Sequence, residues 1–127
     1  MNPQDFTRAF AAAFGARDAD CLAGYLSEDS RVLTLTGIWA EGPTAAKHVF
    51  ASEFSGLFAR ARLVTGKSQL RPLADGITLV HQRYVVSGGQ GPDGTDLPRF
   101  AAMLQAVLVD SPTGWEVASL SFSSLAE

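Results

Sequence analysis

The order of secondary-structure signals in this 127-residue chain predicts an α+β domain in which helices precede a long antiparallel sheet. Everything before residue 62 has the pattern of three short helices around one small strand pair. From residue 62 onward, four strand-like segments follow one another, each separated from the next by turn residues. We expect the helices to cover one side of a curved sheet, which gives the domain the shape of a cone.

Aromatic spacing predicts the first helix, over residues 3–16. Phe6, Phe10 and Phe14 recur at intervals of four, which places their rings on one face of a helix. Gly15 marks its end, because glycine commonly follows the last helical turn. This aromatic face is expected to point into the domain.

A second, shorter helix and a small strand pair are expected next. Asp18 or Asp20 can cap the helix, and the polar segment after residue 26 should end it. Residues 31–36 then alternate as a strand, and Gly37 allows a tight turn into the short run 38–40. The residues that this helix turns inward are Leu22, Tyr25 and Leu26.

The third helix begins near Pro43, a residue tolerated at the first helical position, and frays at residues 56–58. Its predicted inward face consists of Ala46, Val49, Phe50, Phe54 and Leu57. The four strands that follow are predicted over residues 62–73, 76–87, 98–109 and 114–123. Gly- and Pro-containing turns between them favour antiparallel pairing of neighbours.

Composition favours one domain over residues 1–127 and argues against several functions. A chain of this length with 46% hydrophobic content can bury a single core. Ten basic residues against thirteen acidic ones give a net charge of -3, and the basic residues are scattered. Because nucleic-acid binding needs clustered contacts to phosphates, we expect none.

We expect a cytoplasmic protein that neither enters nor binds a membrane. Asp5 and Arg8 interrupt the segment where a secretory signal would need an apolar run, and no apolar stretch approaches the roughly 20 residues of a membrane span. Cys21 has no second cysteine to pair with, and the two histidines lack metal-ligand spacing. We therefore predict no disulfide, no metal and no cofactor.

The strand segments 76–86 and 100–109 are apolar on both faces. A sheet covered by helices on one side needs apolar residues on that side alone. The second face therefore calls for a partner, and a homodimer through the sheet is the simplest one.

Several short motifs occur in a characteristic order. After the aromatic first helix come D-A-D at 18–20, Y-L-S-E-D-S at 25–30, G-x-W-x-x-G-P-T-A-A at 37–46 and G-W-E-V at 114–117. This order resembles the nuclear transport factor 2-like (NTF2-like) superfamily of cystatin-like folds. Within it, the chain is most similar to small SnoaL-like proteins and to the calcium/calmodulin-dependent kinase association domain.

The resemblance implies a cone-shaped α+β barrel, usually dimeric, with a cavity between the long helix and the concave sheet. The superfamily contains isomerases, cyclases, hydrolases and dehydratases as well as binding domains, so the fold does not assign chemistry. Relatives often carry histidine in the last strand, where this chain has Ser119 to Ser121, and a polar residue on the third helix near Phe50. Both departures weaken the case for catalysis.

The expected ligand is a small hydrophobic or acidic molecule held in the cone. In the kinase association domain, an arginine on the strand equivalent to residues 76–87 faces the pocket. Arg83 stands where that arginine is expected. A guanidinium among apolar neighbours needs a partner, which makes Arg83 the expected polar anchor. The other residues expected to line the ligand pocket are Tyr25, Trp39, Phe10, Phe14, Phe50, Phe54 and Phe122.

His81 and Glu53 are the candidates for catalysis. His81 shares a strand face with Arg83 at a separation of about 7 Å, so it can move a proton while Arg83 holds an oxyanion. Ligand positioning, or a structural role at a dimer surface, are the alternatives for this pair. Glu53 is considered because its helix face borders the pocket, and enzymes of the superfamily use a carboxylate in an apolar pocket as a base.

Three functions follow as hypotheses. The chain is a small-molecule-binding domain with an apolar cavity, an isomerase-like enzyme that transfers protons on a hydrophobic ring substrate, or an association domain. An apolar cavity of several hundred Å³ containing His81 or a buried carboxylate would favour the enzyme. A filled core with a large sheet-to-sheet interface would favour association.

Overall fold

The computed structural model describes residues 1–126, which form three helices and one six-stranded sheet. The helices are α1 (Pro3–Gly15), α2 (Ala19–Gly24) and α3 (Gly42–Phe54). The strands are β1 (Leu26–Leu33), β2 (Trp39–Glu41), β3 (Arg62–Ala74), β4 (Ile77–Ser87), β5 (Phe100–Ser111) and β6 (Gly114–Ser124). The predicted α+β class, with helices first and a curved sheet after them, is confirmed.

The sheet has the strand order β2-β1-β6-β5-β4-β3. From β3 to β6 the chain forms the predicted antiparallel meander, whereas β1 joins β6 in parallel. The helix α3 carries the chain from β2 at one edge of the sheet to β3 at the other. No helix in residues 1–126 combines the length and apolar character that crossing a bilayer requires.

The first helix packs its aromatic face onto the sheet, as its spacing predicts. The Asn2 side chain caps it by accepting a hydrogen bond from the Asp5 backbone N–H at 3.0 Å, and Pro3 occupies the first turn. Phe6, Phe10 and Phe14 on this helix are at most 1% exposed. Burial of these three rings makes α1 part of the hydrophobic core.

The second helix and the first strand differ from the prediction. The helix is only six residues long, and β1 begins at Leu26, five residues earlier than expected. Leu26 lies beside Val117 of β6, and the Val117 N–H donates to the Tyr25 carbonyl at 2.8 Å. The polar segment 27–30 therefore lies within β1, as an irregular stretch between Leu26 and Arg31, which both pair with the distant strand β6.

A glycine fixes the exit from β4. Gly88 has a backbone φ of 78°, and a Cβ atom at this position would collide with the carbonyl oxygen of Arg60. Gly94 in the following loop has nearly the same φ, 80°, but open space around it. Of these two glycines, Gly88 alone serves both a left-handed turn and a close backbone approach.

Candidate functional site

The interior of the cone is filled with aromatic rings. The ring centroid of Phe10 lies 6.0 Å from that of Phe6, 6.4 Å from that of Tyr84 and 5.8 Å from that of Phe122. Phe14 continues the cluster, with ring centroids at 5.1 to 6.2 Å from its aromatic neighbours. Contacts at these distances are those of a packed core.

Three of the pockets on the described part of the chain have volumes of 260 to 440 Å³, and none of these three lies between α1 and the sheet. One is between the end of α3 and the β4–β5 loop, and a second is beside the turn from β1 to β2. The third, of about 320 Å³, is lined by Lys67, Ser68, Gln69, His81, Arg83 and Met103.

The aromatic residues predicted to line a ligand cavity belong to the core instead. Each of these five is at most 8% exposed: Phe10, Phe14, Phe50, Phe54 and Phe122. Phe122 alone among them also borders a surface pocket, the one beside the β1–β2 turn. The expected interior cavity is therefore occupied by the side chains that were expected to surround it.

The two other aromatic candidates lie apart from each other. Tyr25 is half-buried against the Phe6 ring at 5.7 Å, and its hydroxyl accepts a hydrogen bond from the Cys21 thiol at 3.3 Å. Burial raises the pKa of Tyr25 to about 12, and the Cys21 contact acts in the same direction. Trp39 is 57% exposed on the edge strand β2, where its indole N–H donates to Glu41.

Arg83 lies on the outer face of the sheet, not inside the cone. Along β4 the even-numbered residues from 78 to 86 are buried, and Arg83 is exposed. Tyr84 sets this orientation, because its ring is fully buried and its hydroxyl donates to the Thr7 carbonyl of α1. Burial raises the pKa of Tyr84 well above its ordinary value. His81, two residues before Arg83, shares the outer face.

A bulge in β3 shapes the groove in which Arg83 and His81 lie. The pairing of β3 with β4 shifts between Thr65 and Ser68, which places Lys67 on the groove wall. The buried Gln82 amide nitrogen lies 2.8 to 3.2 Å from the carbonyl oxygens of Gly66, Lys67 and Arg83. One side chain on the inner face thus fixes the backbone that forms the groove on the outer face.

Glu53 is buried on α3, at 6% exposure. Its Oε2 atom accepts a hydrogen bond from the Thr36 hydroxyl at 2.5 Å, and Thr36 in turn lies 3.3 Å from the Thr34 hydroxyl. Since Thr36 donates its single proton to the carboxylate, it must accept one from Thr34. The chain of hydroxyls fastens the β1–β2 turn to α3. Oε1 has no protein partner within residues 1–126.

Glu53 and His81 are separated by the sheet. Glu53 lies under α3 on the inner side, whereas His81 lies in the outer groove. The structure therefore does not bring the two candidates for proton transfer into one site. It instead joins His81 and Arg83 with residues that sequence reasoning missed, namely Lys67, Ser68, Gln69 and Met103. Gly66 within a strand-like run was the available signal, because an isolated strand glycine often marks a bulge.

No protein-family model matches the chain, and no curated protein matches it significantly. Solved structures do match. An uncharacterised protein with a cystatin-like fold from Caulobacter vibrioides superposes with a TM-score of 0.87 at 16% identity, over 97% of this chain and 87% of that one. A second match is a protein from Xanthomonas campestris that is named for the calcium/calmodulin-dependent protein kinase II association domain. It gives a TM-score of 0.81 at 14% identity, over 98% of this chain and 86% of that one.

A ketosteroid isomerase-like protein from Erwinia carotovora atroseptica gives a TM-score of 0.79 at 16% identity, over 98% of this chain and 95% of that one. Further matches carry NTF2-like and cystatin-like names. At these identities the likeness concerns the backbone fold. The chain therefore has the NTF2-like, cystatin-like fold that the order of its motifs predicted.

Proposed function

We propose that this protein is an association domain that forms a homodimer through the outer face of its sheet. The observation that carries the proposal is the contrast between the two sides of the sheet. On the inner side, helices and aromatic rings bury most apolar residues of β4 to β6, whereas on the outer side the larger apolar residues of these strands stay partly exposed, and no other element of residues 1–126 packs on them. We define the outer apolar face by Val64, Ile77, Leu79, Val85, Met103, Val107 and Val109.

The register of the strands places these apolar residues beside one another in pairs. Between β4 and β5, Leu79 lies directly opposite Val107, and Ile77 lies opposite Val109. Between β4 and β3, Val85 lies opposite Val64. Directly opposed residues project to the same side of a sheet, so their apolar side chains meet across the strands. Val64 is 57% exposed, a large fraction for a valine in a sheet of this size.

The size of the face is adequate for a stable dimer. Strands β3 to β6 of about eleven residues, spaced about 4.8 Å apart, give a face of roughly 35 by 19 Å, or about 650 Å² per copy. Specific interfaces bury about 600 to 1,000 Å² per partner. A two-fold contact uses the same face on both copies, so it needs no second complementary surface. The association-domain name of the Xanthomonas campestris neighbour agrees with this function.

The test is the mass in solution, by size-exclusion chromatography with light scattering. We expect about twice the chain mass of 13.4 kDa at micromolar concentration. Val107→Lys places an ammonium in the middle of the proposed interface and should yield a folded monomer. Ile38→Lys is the control, because Ile38 is 48% exposed on the β1–β2 turn, away from this face, and should leave the dimer intact.

A wild-type monomer at all accessible concentrations would refute the proposal. A Val107→Lys variant that stays dimeric would also refute it, since association would then use another surface. The unpaired edge of β3 is the alternative surface in that case, because an open strand edge can pair with a second chain. Circular dichroism of each variant shows that its fold is retained.

A further inference from the structure

The groove on the outer face is positively charged and lacks acidic partners. The Arg83 guanidinium, the Lys67 ammonium and the His81 imidazole all line the same 320 Å³ groove. Within residues 1–126, the ion pairs are Arg31–Glu41 and Lys47–Asp20, so neither groove cation is paired with a carboxylate. Such grouping is unexpected in a chain whose net charge is -3.

The part of the outer face that β3 to β6 form carries more cations than anions. Arg71 lies opposite Leu79, and Arg62 opposite Ser87, both on the outer side of β3. Within the described part of β3 to β6, one carboxylate lies on this face, that of Glu116. It lies beside Val109, at the far end of the strands. The groove therefore keeps its positive charge after all neighbours on the face are counted.

A two-fold interface through this face brings the same cations from both copies toward each other. Moving unpaired charges out of water is unfavourable, and like charges at close range add repulsion. Since each copy carries the same groove, neither can supply the acidic complement of the other. A negatively charged ligand in the groove removes both penalties at once.

We propose that this groove binds a small organic acid, and that the bound carboxylate strengthens the homodimer by neutralising the cations that the interface buries. This inference rests on the proposed association through the outer face. A guanidinium presents a planar fork of donors that fits a carboxylate with two hydrogen bonds, and the Lys67 ammonium supplies a third. Met103 and the aliphatic stems of Arg83 and Lys67 give the groove apolar walls for the body of the acid.

The groove is rigid enough to act as a binding site. Gln82, at 1% exposure, directs the two N–H donors of its amide at the carbonyl oxygens of Gly66, Lys67 and Arg83, which share them. The Gly66 backbone lies so close to Arg83 that a Cβ atom on residue 66 would stand 3.1 Å from the Arg83 carbonyl oxygen. The backbone on both sides of the groove is thereby held in place before a ligand arrives, which limits the ordering that binding must supply.

The experiment measures the dimer dissociation constant by sedimentation equilibrium in chloride, benzoate or phosphate at equal ionic strength, with benzamide as the neutral match of benzoate. We expect benzoate to lower the dissociation constant of the wild type at least tenfold relative to chloride, and benzamide to leave it unchanged. An equal or larger effect of phosphate assigns the site to oxyanions in general and refutes the preference for an organic acid.

Arg83→Gln separates the groove from general salt effects. It should form a tighter dimer than the wild type in chloride, because one buried cation per copy is gone, and should respond to benzoate less than twofold. Arg62→Gln is the matched control: it removes the same charge from the same face outside the groove, so it should keep the response.

The outcomes distinguish the two proposals. A wild type that is monomeric in every anion refutes the association itself. A dimer whose dissociation constant is the same in chloride and benzoate leaves association intact and refutes the anion site. Loss of the benzoate response in Arg62→Gln as well as in Arg83→Gln also refutes the site, because the effect would then follow total charge.

Discussion

Replacing Phe10 by alanine tests whether the interior of the cone is a packed core. The Phe10 side chain is 1% exposed, and its ring meets four other rings at centroid distances of 5.8 to 6.4 Å. Truncation removes this buried apolar surface and leaves a hole about the size of a benzene ring. The free energy of unfolding should fall by about 3–5 kcal/mol.

The assay is urea unfolding followed by circular dichroism, with all variants at one protein concentration because the stability of a dimer depends on it. Ile38→Ala is the control and should change the free energy of unfolding by less than about 1 kcal/mol, since Ile38 is 48% exposed. Benzene should raise the melting temperature of Phe10→Ala by filling the new apolar hole, and should leave the wild type unchanged.

The reasoning is refuted if Phe10→Ala loses less than about 1 kcal/mol while benzene already stabilises the wild type. That result would mean that the rings line an open cavity rather than fill one. Binding of a small hydrophobic molecule inside the cone would then become the better-supported function.

Two further predictions concern the backbone and the tyrosines. Gly88→Ala should lower the free energy of unfolding by about 3 kcal/mol, and Gly94→Ala should lower it by about 1 kcal/mol. Both residues have a left-handed φ, but of the two only Gly88 lies against a backbone carbonyl. Equal losses of the two variants in urea unfolding would contradict this reasoning. Since burial raises the pKa of Tyr84 and of Tyr25, the native state keeps protons that the unfolded chain releases above pH 10. The stability present below pH 10 should therefore fall as the pH rises further, and Tyr84→Phe should reduce this slope by up to about 1.4 kcal/mol per pH unit. Unchanged slopes in urea unfolding between pH 9 and 11 would contradict that reasoning.

Much of the fold was predictable because its signals are local. The aromatic spacing of α1 and the turn residues between β3, β4, β5 and β6 place these elements within a few residues of their observed bounds. The start of β1 was not predictable in the same way. Segment 27–30 is polar and has no strand pattern of its own, and it belongs to β1 only because Leu26 before it and Arg31 after it both pair with β6.

The position of the candidate site depended on which face of β4 points inward. Ile77 and Leu79 on one face are as apolar as Val80 and Val86 on the other, so periodicity alone does not choose between the faces. The family resemblance placed Arg83 inside the cone. Tyr84 instead takes the inward position, and a side chain next to an inward residue of a strand must point outward.

The same ambiguity in β4 carries the functional argument. A strand with one polar face would show which side meets water, but a strand that is apolar on both faces must find apolar contact on both sides. Inside, the helices and their phenylalanines supply that contact. Outside, no helix of the described residues packs on the strand, and the cations of the groove interrupt the apolar surface at Arg83 and Lys67. A face of this composition is poorly suited to remain in water and poorly suited to pair with itself without a counterion. The two proposals, self-association and anion binding, therefore concern one surface.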